Sequence, residues 1–313
     1  MQRLTIATRG SQLALWQANH IRDCLLALNQ DLEIELSIIH TKGDKILDVP
    51  LSQVGGKGLF VKEIEEALLS KEADLAVHSI KDVPMVLPDG LTLGAVPRRA
   101  PFTDCLCSEK YDSLDALPKG AVVGTSSLRR QAQLLGLRPD LKIVSLRGNV
   151  DTRLRKLKEG QFDAIVLASA GLERLGLSAA HMCALAPESF VPAVGQGALG
   201  IECRADDAAV LSLLSPLNDG HTRTCVEAER GFLLGLDGGC QVPIGAHARL
   251  LEDGALELDG LVAEVDGSAI LRRQKQGKAS EAHELGLSLA KELLQAGAEQ
   301  ILARLYSDGT ASR

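Results

Sequence analysis

Short apolar runs alternate with longer amphipathic stretches over the first two hundred residues, and this alternation is the strongest constraint on the fold. Leu4–Ala7 reads as a strand, Gln12–Leu28 as an amphipathic helix and Leu32–His40 as a strand. Leu59–Ser70 reads as a helix and Asp74–His78 as a short buried strand. Aliphatic runs followed by segments of helical period build β-α-β units, which give a parallel or mixed sheet covered by helices. Val96-Pro97-Arg98-Arg99-Ala100-Pro101 interrupts the rhythm as a linker. It then restarts, with strands at Ala121–Gly124, Lys142–Leu146 and Phe162–Leu167 between helices at Ser127–Leu135, Asp151–Lys158 and Ala170–Leu175. A second proline-bearing crossing, Val191-Pro192, leads to a strand at Leu199–Cys203 and a helix at Asp206–Leu214.

After His221 the pattern changes. A helix, Arg223–Leu234, runs into a glycine-rich turn and then three extended segments near Ile244–Leu251, Ala255–Ala263 and Ala269–Gln276. Asp253-Gly254 and Asp266-Gly267 join them as hairpin signals. One long helix, His283–Leu305, closes this small α+β region. No fixed-period repeat and no low-complexity tract is present.

Composition excludes several function classes. The 313 residues are 45% hydrophobic but only 3% aromatic, so the core is aliphatic and base stacking has little support. The net charge of -7 gives no overall basic field for nucleic acid. No apolar run reaches the roughly 18 residues that a membrane helix needs. The N-terminal residues run straight into a strand pattern, so no secretory leader is expected. Seven cysteines, an odd number with only Cys105 and Cys107 close together, point to a reduced, cytosolic protein. No zinc-ligand spacing occurs, so no metal is expected.

Gly195-Gln196-Gly197-Ala198-Leu199-Gly200 has the spacing of a dinucleotide loop, but a strand rather than a helix follows it. A glycine hinge fits better than a nucleotide site. Gly124-Thr125-Ser126-Ser127-Leu128-Arg129-Arg130 places hydroxyls, helix N–H groups and two arginines where a strand meets a helix. That suits a carboxylate or phosphate, and it equally suits an ordinary helix cap. Charge decides between them: Leu128–Lys158 holds nine basic residues against Asp140 and Asp151, a local net of +7. Arginine predominates there, which favours bidentate binding of planar anions. His78-Ser79-Ile80-Lys81-Asp82-Val83-Pro84 brings a hydroxyl, a cation and a carboxylate together after a strand. Asp82 there is either a turn former or an acid/base group. Cys240, behind Gly238-Gly239, is either an accessible thiol or an inert buried one.

Seven segments occur in one order: IATRGSQLALWQ, GGKGLFVKE, DLAVHSIKDVP, VGTSSLRRQ, SLRGNVDTR, VPAVGQGALGIECR and GGCQVPIG. Together they resemble porphobilinogen deaminase (hydroxymethylbilane synthase) along nearly the whole chain. The resemblance implies two α/β lobes like type II periplasmic binding proteins, plus a small α+β C-terminal domain with a three-stranded antiparallel sheet. Its boundaries would be residues 1–97 with 198–217, 102–192, and 220–313. It implies a covalent dipyrromethane cofactor on Cys240, a catalytic carboxylate at Asp82, porphobilinogen as substrate and a monomer. Arg9, Ser11, Lys57, Ser79, Lys81, Thr125, Ser127, Arg129, Arg130, Arg147, Arg153, Arg174, Gln196 and Arg204 fall on positions that bind cofactor and substrate acids. Gln53 stands where the family often has a second lysine, which leaves Lys57 as the cation of that edge. The rival readings are a solute-binding module, since such lobes serve both roles, and a dinucleotide-dependent oxidoreductase.

Overall fold

The computed structural model describes residues 2–41, 61–238 and 242–307. They form two compact units, one of residues 2–41, 61–100 and 198–223, the other of residues 101–197, 224–238 and 242–307.

The first unit is built on β1 (Gln2–Thr8), β2 (Leu32–Ile38), β3 (Leu75–Ser79), β4 (Leu91–Ala95) and β10 (Leu199–Arg204). Their order across the sheet is β2-β1-β3-β10-β4. β1 runs parallel to β2 and β3, whereas β10 is antiparallel to β3 and β4. Helix α1 (Gln12–Leu28) and α6 (Ala208–Leu214) supply one face, where Ile21, Leu25 and Leu214 bury against Leu4, Ile6, Val77 and Ile201. Helix α2 (Lys62–Leu69) covers the other face, packing Ile64, Ala67 and Leu68 on Ala7 and Ala76. Strands covered on both faces read as continuous apolar runs, which is why β3 shows no alternation in sequence.

The second unit repeats this plan. Its larger sheet holds β5 (Asp104–Ser108), β6 (Val122–Gly124), β7 (Lys142–Val144), β8 (Ala164–Ala168) and β9 (His181–Leu185), in the order β7-β6-β8-β5-β9. β6 is parallel to β7 and β8, and β5 is antiparallel to β8 and β9. The helices are α3 (Leu128–Leu137), α4 (Val150–Lys158) and α5 (Ser169–Leu175). The same unit carries the antiparallel sheet β11 (Ile244–Leu250), β12 (Ala255–Ala263) and β13 (Ile270–Lys278). Ala132 of α3 shares a core with Val191, Leu261 and Ala263.

Three features differ from expectation. The single closing helix is two, α8 (Ala282–Leu293) and α9 (Glu299–Ser307), parted by a π turn at Leu294–Ala298. Gly297 sits there at φ 113, a conformation that glycine adopts without a Cβ penalty. Strands β4, β5 and β9 were not anticipated. The helix that follows residue 219, α7 (Gly220–Gly235), begins three residues earlier than expected.

Candidate active site

In the first unit the C-terminal ends of β1 and β3 lie side by side. β1 ends at Thr8, and Arg9-Gly10-Ser11 leads into α1, with Ser11 Oγ accepting the Ala14 N–H at 3.3 Å. Gln17 Nε2 of that helix donates to Ser79 Oγ at 3.0 Å, which links the two strand ends. After Ser79 the chain makes one 3-10 turn, Ile80–Asp82, closed by the Val83 N–H on Ile80 O at 3.0 Å. Ile80 and Val83 are buried and Asp82 between them is exposed, so two apolar anchors present the carboxylate to solvent. The Ile80 N–H is tied to Ala198 O at 3.0 Å. Gly200 leaves the space for Ile80: a Cβ there would stand 2.6 Å from Ile80 Cδ1. Arg9, Ser11, Ser79, Lys81 and Asp82 therefore share one end of the sheet.

Arg204 does not join them. β10 runs antiparallel to β3 with Cys203 opposite Leu75, so Arg204 lies just before the start of β3, about 17 Å along the strand from Ser79. Its guanidinium donates to Leu68 O and Ala73 O and pairs with Asp74 at 3.0 Å and Asp207 at 2.8 Å. Those bonds tie α2 to the sheet.

In the second unit β6 ends at Gly124 and Ser127 caps α3, its Oγ accepting the Arg130 N–H. Thr125 Oγ1 accepts the Ser127 N–H at 3.2 Å. Arg129 and Arg130, on the first turn of α3, are buried. Both close on Asp104, which is fully buried at the start of β5 and opposite Ala168 at the end of β8. Arg129 Nη1 reaches Asp104 Oδ2 at 2.7 Å, and Arg130 Nη2 reaches Oδ1 at 2.7 Å. Gln196 Nε2 donates to the same Oδ1 at 3.1 Å and to Phe102 O at 2.8 Å. Burial alone would raise the Asp104 carboxyl, but the two guanidiniums outweigh it and hold it well below the ordinary range.

One carboxylate against two guanidiniums leaves a net positive end. Two further arginines add to it. Arg147 follows β7, and Arg153 on α4 is oriented by its Nε donating to Gly148 O at 2.7 Å. Among the described residues no carboxylate lies within ion-pair distance of Arg153. Its pKa falls to about 10, first from burial and then from the charges of Arg130 and Arg147. A cluster of guanidiniums of this kind suits the binding of an anion. Arg174 on α5 is likewise lowered to about 10, chiefly by burial, and donates to Gly197 O at 2.7 Å.

Cys240, Lys57 and Gln53 lie outside the described residues. The approach to Cys240 is described: α7 ends at Gly235, Asp237 takes φ 50, and Tyr306 Oη donates to Asp237 O at 3.0 Å. The glycine motif at 195–200 proves to be backbone chemistry, with Gly195 at φ 67, Gly197 at φ 86 and Gly200 making room for Ile80. Asp104, the residue that organises the arginine pair, escaped the sequence reading, because a lone acid 25 residues before its partners carries no local signal.

Two family descriptions match the chain: "Porphobilinogen deaminase, dipyromethane cofactor binding domain" over residues 4–212, and "Porphobilinogen deaminase, C-terminal domain" over residues 223–295. The porphobilinogen deaminase of Nitratidesulfovibrio vulgaris (strain Miyazaki F) is 59% identical, across 99% of each chain. That of Maridesulfovibrio salexigens is 61% identical, across 98% of this chain and 99% of the relative. Among solved structures, the ancestral cationic amino acid solute binding protein AncCDT-1 matches with a TM-score of 0.44 and 15% identity, over 69% of this chain and 87% of that one. An amino-acid transporter binding protein from Bacillus subtilis, ytmK, gives 0.41 and 10%, over 69% and 90%.

Proposed function

The chain belongs to the porphobilinogen deaminase family, and from that premise we propose how its residues divide the work. The family's reaction is a transfer: four porphobilinogen molecules are deaminated and joined head to tail on a covalently bound dipyrromethane primer. Hydroxymethylbilane and ammonia are released, as a step of tetrapyrrole biosynthesis.

The observation that carries our assignment is the gathering of Arg129, Arg130, Arg147 and Arg153 at this end of the second unit, with Asp104 as the carboxylate that Arg129 and Arg130 share. A dipyrromethane carries carboxylates, and this end of the second unit offers what they need: guanidiniums, hydroxyls and a capped helix start. Arg147 and Arg153 bind acid groups directly by charge-assisted bonds. Arg129 and Arg130, locked by Asp104, hold the positive field and present whatever donors the pairing leaves. Thr125, Ser127, Arg174 and Gln196 complete the set; Arg9, Ser11, Ser79 and Lys81 of the first unit serve the same task, and Lys57 is assigned to it as well. Arg204 is assigned to the scaffold.

When bound, the primer supplies the free pyrrole α-carbon to which each new unit is joined, and Cys240 is its attachment point through a thioether. Asp82 is the catalytic group. As a carboxylate it accepts hydrogen bonds from pyrrole N–H groups and stabilises positive charge that develops as ammonia leaves. In its protonated form it assists that departure. Tethering keeps the growing chain in place between cycles. The three-domain division at 1–97 with 198–217, 102–192 and 220–313 fits these roles, as do a cytoplasmic location and a monomer. No helix of the described residues is long and apolar enough to cross a membrane.

Intact mass spectrometry after expression with porphobilinogen supply tests the assignment. Wild type is expected to carry one dipyrromethane, and Cys240→Ser none. A wild-type mass equal to the bare sequence, or an adduct retained by Cys240→Ser, overturns the attachment site.

A further inference from the structure

Three ionisable side chains that take no part in the assignments above are buried together in the first unit. Glu65 lies on α2, His78 on β3 and Glu202 on β10, with 7%, 6% and 1% of their surface exposed. Gly200 pairs with His78 and Glu202 with Ala76, so His78 and Glu202 are diagonal neighbours on one face of the strand pair. His78 Nε2 stands 2.9 Å from Glu202 Oε2. Helix α2 closes that face through Ala67 and Leu68 against Ala76. Glu65 Oε1 and Glu202 Oε1 are both buried without a hydrogen-bond partner.

Two carboxylates in one apolar layer do not both ionise without a large penalty. Burial raises the Glu65 carboxyl first and the charge of Glu202 raises it further, while His78 offsets only part. The other groups around it do not cancel this. Glu66, on the same helix, adds repulsion, and Lys62 is turned towards Glu66. Arg204 of β10 is held by Asp74 and Asp207. Arg3 of β1 pairs with Glu35, and β4 carries no titratable side chain.

We propose that Glu65 is a positioning residue that works as the neutral acid. Its O–H supplies the donor that the two orphan carboxylate oxygens lack. That proton keeps α2 seated on β3 and β10, the strands whose ends hold the Ser79–Asp82 turn. When Glu65 ionises, two anions meet beneath those strands and the turn is displaced. Turnover then has an alkaline limb set by Glu65. The effect falls on kcat through Asp82, and on KM only as far as Ser79 and Lys81 of the same turn bind substrate acids, since the arginines that bind them stand on other elements. The link to turnover rests on the assignment of Asp82.

The test uses the full-length enzyme carrying its cofactor, with the glutamate carboxyls followed by carbon NMR across pH and kcat and KM measured over the same range. In wild type one glutamate signal is expected to titrate above the ordinary value of 4.5 and to vanish in Glu65→Gln. Glu202→Gln removes a repelling charge and moves the inflection to lower pH. His78→Gln removes the offsetting group and moves it to higher pH. The alkaline fall in kcat follows both shifts and is lost in Glu65→Gln. That variant should keep neutral-pH kcat within about twofold, because an amide reproduces the donor and acceptor of the neutral acid. Glu65 titrating at the ordinary glutamate value, or an unchanged alkaline fall in Glu65→Gln, overturns the proposal. If Glu65→Gln does not fold, the wild-type and Glu202→Gln titrations decide, and an inflection that does not move overturns it. Turnover retained by Asp82→Asn would sink the Asp82 assignment while leaving these titration signs untouched.

Discussion

At the scale of single residues, exposure separates groups that act from groups that hold. Asp82 is exposed between the buried Ile80 and Val83, so an amide in its place disturbs no packing. Asp82→Asn should keep the thermal midpoint of wild type and lower turnover by about 10²–10⁴-fold. Ammonia release at a near-normal rate from a folded Asp82→Asn enzyme would remove its catalytic role. Asp104 is the opposite case. It is buried with both oxygens on guanidiniums, and removing its charge leaves Arg129 and Arg130 buried and uncompensated. Breaking such a pair costs about 3–5 kcal/mol, so Asp104→Asn should lose about that much in chemical denaturation. A loss within measurement error would mean that the arginines find another counter-charge. Arg129 and Arg130 were readable from local charge as anion ligands, but their partner was not. The fold joins positions 104, 129 and 130 across strand β5 and helix α3, a separation that no local pattern spans.

At the scale of elements, most strands and helices were legible because apolar period and caps agreed. Gln12–Leu28 is legible to the residue, and in the structure Ser11 caps it. The strands that escaped share a cause. β4 contains Gly94, β5 opens on Asp104 and β9 begins at the exposed His181, so each lacks a clean run of β-branched residues. Tertiary pairing overrides their weak propensity. The crossing of α7 and α8 was equally unreadable. Gly231 would place a Cβ 2.4 Å from His283 O, and Gly286 would place one 2.2 Å from Ala228 O and 2.5 Å from Phe232 N. These contacts are with backbone, which cannot swing aside. Gly286→Ala gains about 1 kcal/mol of helix propensity, yet overpacking of this kind costs about 1–3 kcal/mol or more. The second term should win, because the near atoms are fixed. A lowered thermal midpoint is expected, and a midpoint at or above wild type would show that the two helices can separate freely.

At the scale of the whole molecule, a duplication emerges that no fixed period in the sequence reveals. Both large sheets have three parallel strands, then one antiparallel strand, then an edge. Asp74 donates its N–H to Thr5 O and its carboxylate accepts the Thr5 N–H at 2.8 Å; Asp163 does the same with Val122 at 2.8 Å. Ile80 N–H on Ala198 O has its counterpart in Ser169 N–H on Thr103 O. The bonds are duplicated and the side chains have diverged, so the repeat lives in the backbone. Divergence has also given each unit a buried carboxyl of its own, and these two respond to pH in opposite senses. Asp104 is held low, so its contribution to the second unit is complete above the ordinary carboxylate range and is lost as pH falls through its lowered value. Glu65 is raised, so its contribution to the first unit is complete below 4.5 and is lost as pH rises through its raised value. The chain itself provides separate reporters. Its one tryptophan, Trp16, lies on α1 of the first unit, and its two tyrosines, Tyr111 and Tyr306, lie in the second. Thermal unfolding followed by the Trp16 emission maximum should lose stability towards alkaline pH, and Glu65→Gln should flatten that slope. The tyrosine signal should instead lose stability at strongly acid pH. Trp16 and tyrosine midpoints that move in parallel throughout would mean that the units unfold as one, or that neither buried carboxyl governs its own half.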